Sequence, residues 1–272
     1  MPDIALAAAL AGNRVLLCYG LLGEVMARLR PVGMDYMGAQ ADWLRSLGLP
    51  VAVVALPTAA PVAANAARIA AELTADPRPA LVVGHSKGGL EALAALLHPG
   101  AAAQCRGFIA LQSPFFGSPV ADAVCGNRPL HRAADQALRQ LGLGDGEGVR
   151  DLTTTSRRAW MAEHAAAIAA LTASLPVVSA GTVLERAEHW HDQVYALTER
   201  WMRQQGAGPN DGLVPLDSAL LPGAQQVVRR GGHRALVGGG QDRDPVAALR
   251  ELLALVIRPS PQPAPVPHPP GR

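Results

Sequence analysis

Residues 81–90 read LVVGHSKGGL. An apolar run of strand type passes into Gly84-His85-Ser86-Lys87-Gly88-Gly89, and an alanine- and leucine-rich helical pattern follows to Leu97. Gly84 and Gly88 stand two places either side of Ser86. This is the G-x-S-x-G spacing of a strand–turn–helix elbow, whose sharp turn lifts a serine hydroxyl to the carboxyl end of a strand. The flanking glycines leave room for strand and helix to pack closely. The helix that begins at the turn aims its free N–H groups at negative charge developing beside the serine. The five-residue pattern recurs by chance. The strand before it and the helix after it make it specific, and they make Ser86 a candidate nucleophile.

Outward from this elbow, strand-like and helix-like segments alternate, which predicts a mostly parallel sheet covered by helices. Strands are expected at 14–19 (RVLLCY), 51–56 (VAVVAL), 80–83, 108–112 (FIALQ), 177–180 (VVSA) and 227–228. Helices are expected at 35–47, 61–73 with Pro61 at its start, 87–97 and 244–257. Between Ser113 and Pro176 no strand pattern occurs, only helical spacing such as 157–171. That interval reads as a cap or lid over one end of the sheet, about 114–175, although a pair of ordinary crossover helices would give the same pattern. Residues 1–258 form one domain on this reading. Residues 259–272 hold seven prolines and read as a disordered, solvated tail.

Composition narrows the function. A length of 272 residues with 49% hydrophobic content supports one sizeable core, and a net charge of +2 without a basic cluster gives no support for nucleic-acid binding. Cys18, Cys105 and Cys125 have no metal-like spacing and imply neither a disulfide framework nor a ligand set. The start, MPDIALAAALAGNR, has no basic stretch before its apolar run, so no signal peptide is expected and a cytoplasmic protein is the default. No stretch approaches the roughly twenty apolar residues of a membrane span. The oligomeric state is left open.

A serine hydroxyl needs a base. Of eight histidines, His85 precedes the serine and its chain position points it away from the hydroxyl. His98 ends a helix, His268 is in the tail, and His131, His164, His189 and His191 fall in helical or cap segments. His233 follows the strand-like QQVVRR in a Gly-Gly-His loop just before the last helix, where a base is expected. Partners in such a fold follow in the order serine, acid, histidine. Asp211, in the tight turn Pro209-Asn210-Asp211-Gly212-Leu213, is the expected acid. Asp192, closer to the VVSA strand, is the runner-up, and Asp217, Asp242 and Asp244 are weaker. His189-Trp190-His191-Asp192 resembles a metal cluster, but adjacent helical positions diverge, so the two histidines do not converge on one ion. The oxyanion donors are expected from the N–H of Lys87 and from Leu21 in Tyr19-Gly20-Leu21-Leu22-Gly23. Phe115 and Phe116, just after the fourth strand, are candidates for an acyl-pocket wall or for plain core.

These residues resemble a known family. GHSKGG at 84–89, LQSPFFGSPVAD at 111–122 and NDGLVP at 210–215 are similar to motifs of α/β-hydrolases of the bacterial triacylglycerol lipase and carboxylesterase type. A weaker match runs through YGLLG and MDYMGAQADWL. The resemblance covers 14–122 and 177–237, not the cap. It implies an α/β-hydrolase fold and serine-dependent cleavage of a small-molecule or lipid ester, without a cofactor. Two departures stand out. Tyr19 replaces the family's histidine before the oxyanion glycine. Arg234, Ala235 and Leu236 follow His233 where a calcium-binding aspartate is usual, so no metal is expected. Acyl transfer or thioester hydrolysis on the same triad is the alternative, and a non-catalytic binding member of the fold a third. Lys87 is the only lysine beside twenty-three arginines. It is expected either to pair with Glu91 or Glu24, bracing the oxyanion hole, or to recognise an anionic substrate.

Overall fold

The computed structural model describes residues 1–28, 35–140, 147–187, 190–239 and 243–257. The expected tail at 259–272, and Asp242, His189 and His268, lie outside the described residues. The elements, in chain order, are α1 (Asp3–Ala9), β1 (Arg14–Cys18), α2 (Gly23–Arg28), α3 (Gly38–Ser46), β2 (Val51–Val53), α4 (Val62–Ala75), β3 (Ala80–His85), α5 (Lys87–Leu96), β4 (Cys105–Leu111), α6 (Pro119–Gly126), α7 (Arg128–Gln140), α8 (Glu147–Arg150), α9 (Thr154–Glu163), α10 (Ala165–Ser174), β5 (Val177–Val183), α11 (Trp190–Gln204), α12 (Leu216–Ala219), β6 (Gln225–Arg230) and α13 (Pro245–Ile257).

The six strands form one sheet in the order β2-β1-β3-β4-β5-β6, and every pairing is parallel. Parallel strands need crossovers, so helices cover both faces, and the inner strands read as continuous apolar runs. All six residues of β3 are buried. Successive side chains go to opposite layers. Leu16 and Val82 pack with Ile69 and Leu73 of α4 and Leu93 of α5. Leu17 and Val83 pack with Leu6 of α1, Leu44 of α3 and Leu249 and Leu253 of α13. Each such buried side chain contributes about 1.5–3 kcal/mol. The edge strand β6 is mostly exposed, and its Gln225, Gln226, Arg229 and Arg230 blunt that edge against pairing with another chain.

The chain runs from β1 outward to β2 and then returns to the other side of β1 as β3. The order therefore reverses at β1/β3, and ligands of open parallel sheets bind at the carboxyl ends beside such a point. The loop after β1 and the elbow after β3 both open there.

The strandless interval is helical, and its helices do two different things. Met161 of α9 and Ile168 and Leu171 of α10 pack into the sheet's first layer, as crossover helices do. Val120, Ala121 and Val124 of α6, and Val149 of α8, instead wall the space above Ser86. The helical pattern expected over 157–171 is broken at His164, which ends α9 and precedes α10 with φ −99° and ψ 9°. Among the described residues, no helix is long and apolar enough to cross a membrane.

Candidate active site

Ser86 sits between β3 and α5 with φ 54° and ψ −126°. Positive φ in a residue with a side chain is strained, at a cost of about 1–3 kcal/mol, and persists only where the surroundings impose it. Here they do. A Cβ at Gly88 would lie 2.2 Å from the Cys18 carbonyl oxygen, so α5 can rest on β1 only because that residue has none. Ser86 N–H donates to the Leu111 carbonyl at 2.8 Å and holds the turn against β4.

His233 Nε2 lies 2.9 Å from Ser86 Oγ, and His233 Nδ1 lies 2.9 Å from Asp211 Oδ2. An ionised carboxylate only accepts, so Nδ1 carries the proton and Nε2 is free to accept from the serine hydroxyl. Asp211 and His233 are buried. Asp211 reaches its place because its own turn folds around it. Oδ1 accepts N–H bonds from Leu213 (2.9 Å) and Val214 (2.7 Å), and Asn210 bridges to Pro215. The structure thus brings Ser86, His233 and Asp211, expected from three separate motifs, into one hydrogen-bonded line.

Asp192 does something else. Its Oδ1 accepts the Gly232 N–H at 3.0 Å and its Oδ2 pairs with Arg243. It anchors the histidine loop and does not meet the imidazole. Gln112, which the sequence reading did not single out, donates from Nε2 to Asp211 Oδ2 at 3.3 Å and to the Gly232 carbonyl at 2.9 Å. His85 does not point clear of the site. Its ring centroid lies 5.1 Å from that of His233, and its Nε2 contacts the His233 carbonyl at 2.9 Å. Burial first, and the neighbouring His233 second, hold its pKa well below the ordinary imidazole range. His131 and His164 are occupied elsewhere, with Arg150 and with the Trp160 carbonyl.

The two expected oxyanion donors flank Ser86. Lys87 is the first residue of α5, so its N–H has no acceptor within the helix. Leu21 follows Gly20 in the turn after β1 and lines the space next to the serine. The Gly20 N–H is held by Tyr36 Oη at 2.9 Å.

Above Ser86 lies a cavity of about 310 Å³. Leu21, Leu22 and Met26 line one side, and Val120, Val124 and Val149 another. Tyr195, whose pKa burial pushes up to about 12, and Arg234 are among its few polar groups. Phe115 and Phe116 are not part of this wall. Gln112 has φ 51°, which redirects the chain after β4 and turns Phe115 back into the core, fully buried. Phe116 faces a separate, larger hollow against α9 and α10. The cavity above Ser86 is walled instead by α6, α8 and the loop after β1.

Lys87 is fully buried, and its ammonium pairs with Glu91 one turn along α5. Asn65 of α4 donates to the same carboxylate oxygen at 2.7 Å. A Cβ at Gly148 of α8 would lie 2.8 Å from Lys87 Cε, so α8 closes over the lysine stem. The lysine lies behind the elbow, and its side chain is not part of the cavity wall. The Glu24 side chain lies outside the described residues. The thiols of Cys18 and Cys105 are buried and their pKa values raised, Cys105 to about 12, chiefly by desolvation. Among the described residues no three His, Cys, Asp or Glu side chains converge as metal ligands.

Solved structures share this arrangement of strands and helices. A metagenomic carboxyl esterase superposes with a TM-score of 0.73 over 91% of this chain and 76% of its own, at 22% identity. The chain has the α/β-hydrolase fold. A Bacillus licheniformis lipase in its mature form matches with a TM-score of 0.63 at 21% identity, covering 82% of this chain and 85% of its own. A soluble variant of the Saccharomyces cerevisiae monoglyceride lipase reaches 0.50 at 13% identity, over 89% of this chain and 86% of its own. No family model and no curated protein matches the sequence. At these identities the likeness establishes the hydrolase fold, and the chemistry rests on the residues described above.

Proposed function

We propose that the chain is a serine hydrolase of carboxylic esters. One observation carries the reading: His233 Nε2 stands 2.9 Å from Ser86 Oγ while its Nδ1 is held 2.9 Å from the buried Asp211 carboxylate. In this scheme Ser86 Oγ attacks the ester carbonyl as His233 takes its proton, and Asp211 holds the ring and balances the imidazolium. The N–H groups of Leu21 and Lys87 stabilise the tetrahedral oxyanion. His233 returns the proton to the leaving alcohol. Water, deprotonated by the same histidine, then attacks the acyl-enzyme; the carboxylic acid leaves and His233 returns the proton to Ser86 Oγ. A cavity of about 310 Å³ is at the low end of ligand sites, roughly 300–1,000 Å³. That size and its apolar wall favour short or medium acyl groups over a triglyceride.

The test is turnover of p-nitrophenyl esters from acetate to palmitate beside an acyl-CoA of equal chain length. Short esters are expected to be preferred, Ser86→Ala to lose activity by several orders of magnitude, and a phosphonate to label Ser86 alone. Asp211→Ala is expected to cost more than Asp192→Ala. Labelling at another residue, or faster turnover of the acyl-CoA than of every ester, would overturn the reading.

A further inference from the structure

Two buried side chains that the catalytic scheme does not use connect its two halves. Tyr36 Oη accepts the Gly20 N–H at 2.9 Å, and the same oxygen lies 2.7 Å from His85 Nδ1. His85 Nε2 lies 2.9 Å from the His233 carbonyl oxygen. The proton positions follow from the acceptors. A carbonyl only accepts, so His85 Nε2 carries a hydrogen. A neutral imidazole has one N–H, so Nδ1 is the acceptor and the Tyr36 hydroxyl donates to it. Burial and the adjacent His233 keep His85 uncharged, and burial raises the Tyr36 pKa, which keeps its proton in place. The ring planes stand edge to face, Tyr36 to His85 at 80° and Tyr19 to Tyr36 at 87°, and fix the phenol laterally. Every group in the line is used: Gly20 N–H to Tyr36 Oη–H to His85 Nδ1, then His85 Nε2–H to the His233 carbonyl.

From this geometry, and resting on the proposed esterase reading, we infer that Tyr36 and His85 are positioning residues that tie the oxyanion-donor loop after β1 to the loop carrying the base. Gly20 immediately precedes Leu21. The His233 carbonyl belongs to the residue whose imidazole meets Ser86. The relay therefore sets the separation between the N–H that receives negative charge and the nitrogen that receives the proton. A substrate bound without bond changes needs only the apolar wall. The transition state needs both loops at the right distance, and a shift of a fraction of an ångström there lowers turnover more than binding.

Tyr36→Phe removes the hydroxyl without changing shape. His85→Leu removes both ring contacts, while His85→Gln can still place an N–H near the His233 carbonyl. Active sites are counted with a p-nitrophenyl phosphonate, and kcat and KM for p-nitrophenyl acetate are measured per titrated site at 25 °C, where each protein is folded by circular dichroism. Tyr36→Phe and His85→Leu are expected to lose tenfold or more in kcat, which is about 1.4 kcal/mol at the barrier. KM should stay within threefold, and His85→Gln should recover part of the His85→Leu loss. Smaller kcat losses per site in both variants, or equal losses in His85→Gln and His85→Leu, overturn the relay and leave the esterase reading intact. A wild-type protein that the phosphonate does not titrate fails the esterase reading itself. Independently of turnover, ¹⁵N–¹H correlation spectra should show residue 85 as the neutral Nε2–H tautomer. An Nδ1–H tautomer overturns the relay.

Discussion

Replacing Lys87 tests what the lone lysine does. Two effects of opposite sign act on it. A cation in the first turn of α5 opposes the helix dipole, so removing it gains about 0.3–1 kcal/mol. Against this, Lys87 and Glu91 are both fully buried and paired. Removing one member of a buried pair leaves an uncompensated charge and costs about 3–5 kcal/mol. The second effect wins. Lys87→Met is expected to lose roughly 2–4 kcal/mol net, a fall in Tm on the order of 5–15 °C for a domain of this size. Lys87→Met/Glu91→Leu removes both charges and keeps volume. It forfeits the bond from Asn65 to Glu91, about 1 kcal/mol, while Asn65 keeps its other bond to the Pro57 carbonyl at 3.1 Å. The double variant should therefore lie closer to wild type than Lys87→Met does. Urea titrations of wild type, Lys87→Met, Glu91→Leu and the double variant, with equal slopes as the check on two-state behaviour, give the coupling energy directly. Additive losses, or a Lys87→Met loss below 1 kcal/mol, would refute the bracing role. Turnover per folded molecule should change little, because the oxyanion donor in the proposed scheme is the backbone N–H of residue 87. A selective loss on esters with a free carboxylate would instead return the lysine to substrate recognition.

Two further outcomes follow from the wall and from His85. Val149→Ala should lengthen the preferred acyl chain, whereas Phe115→Ala should cost about 3–5 kcal/mol of stability and leave the chain-length profile unaltered; the reverse pattern in a p-nitrophenyl ester series would place the pocket elsewhere. His85 has a folded pKa below its unfolded value near 6.5, so below about pH 6.5 the unfolded chain binds a proton that the folded one does not, and stability falls with pH by up to about 1.4 kcal/mol per unit. His85→Gln should lack that share of the slope in urea midpoints between pH 7.5 and 5.0, and an identical slope in both proteins would show that His85 titrates freely in the fold.

The sheet was legible because its signals are local. Each inner strand is an apolar run bounded by turn residues, and the elbow is five consecutive residues between a strand and a helix. That Asp211 and His233 stand beside Ser86 was legible for the same reason, each lying in its own short motif. What supports them was not. Gln112 reads as the end of a strand, and nothing in FIALQS announces the positive φ that turns its amide toward Asp211 and sends Phe115 into the core. Tyr36 reads as the start of a helical pattern and His85 as an elbow residue pointing away from the hydroxyl. Their meeting at 2.7 Å depends on how β3 and the segment before α3 pack together. Asp192 reads as the runner-up for the acid, but its carboxylate meets the Gly232 N–H and not the imidazole, a difference of one residue that spacing cannot resolve.

That last contact explains why the supports are scattered. His233 follows two glycines, the pair with the most backbone freedom to lose on folding. A Cβ at Gly232 would lie 2.5 Å from Asp192 Oδ1, so a side chain there would push that carboxylate out of place. Placing His233 to within hydrogen-bond tolerance of Ser86 therefore falls to bonds from outside the loop. Gly231 N–H is fixed by the Val183 carbonyl at 2.9 Å, Gly232 N–H by Asp192, Gly232 C=O by Gln112 and His233 C=O by His85. The four anchors come from β5, α11, the residue after β4, and β3. Locally, the Gly232 carbonyl also accepts the Ala235 N–H at 2.9 Å. Rigidity at His233 is thus a property of the assembled sheet end, and it appears only when elements separated by more than a hundred residues of chain are in place.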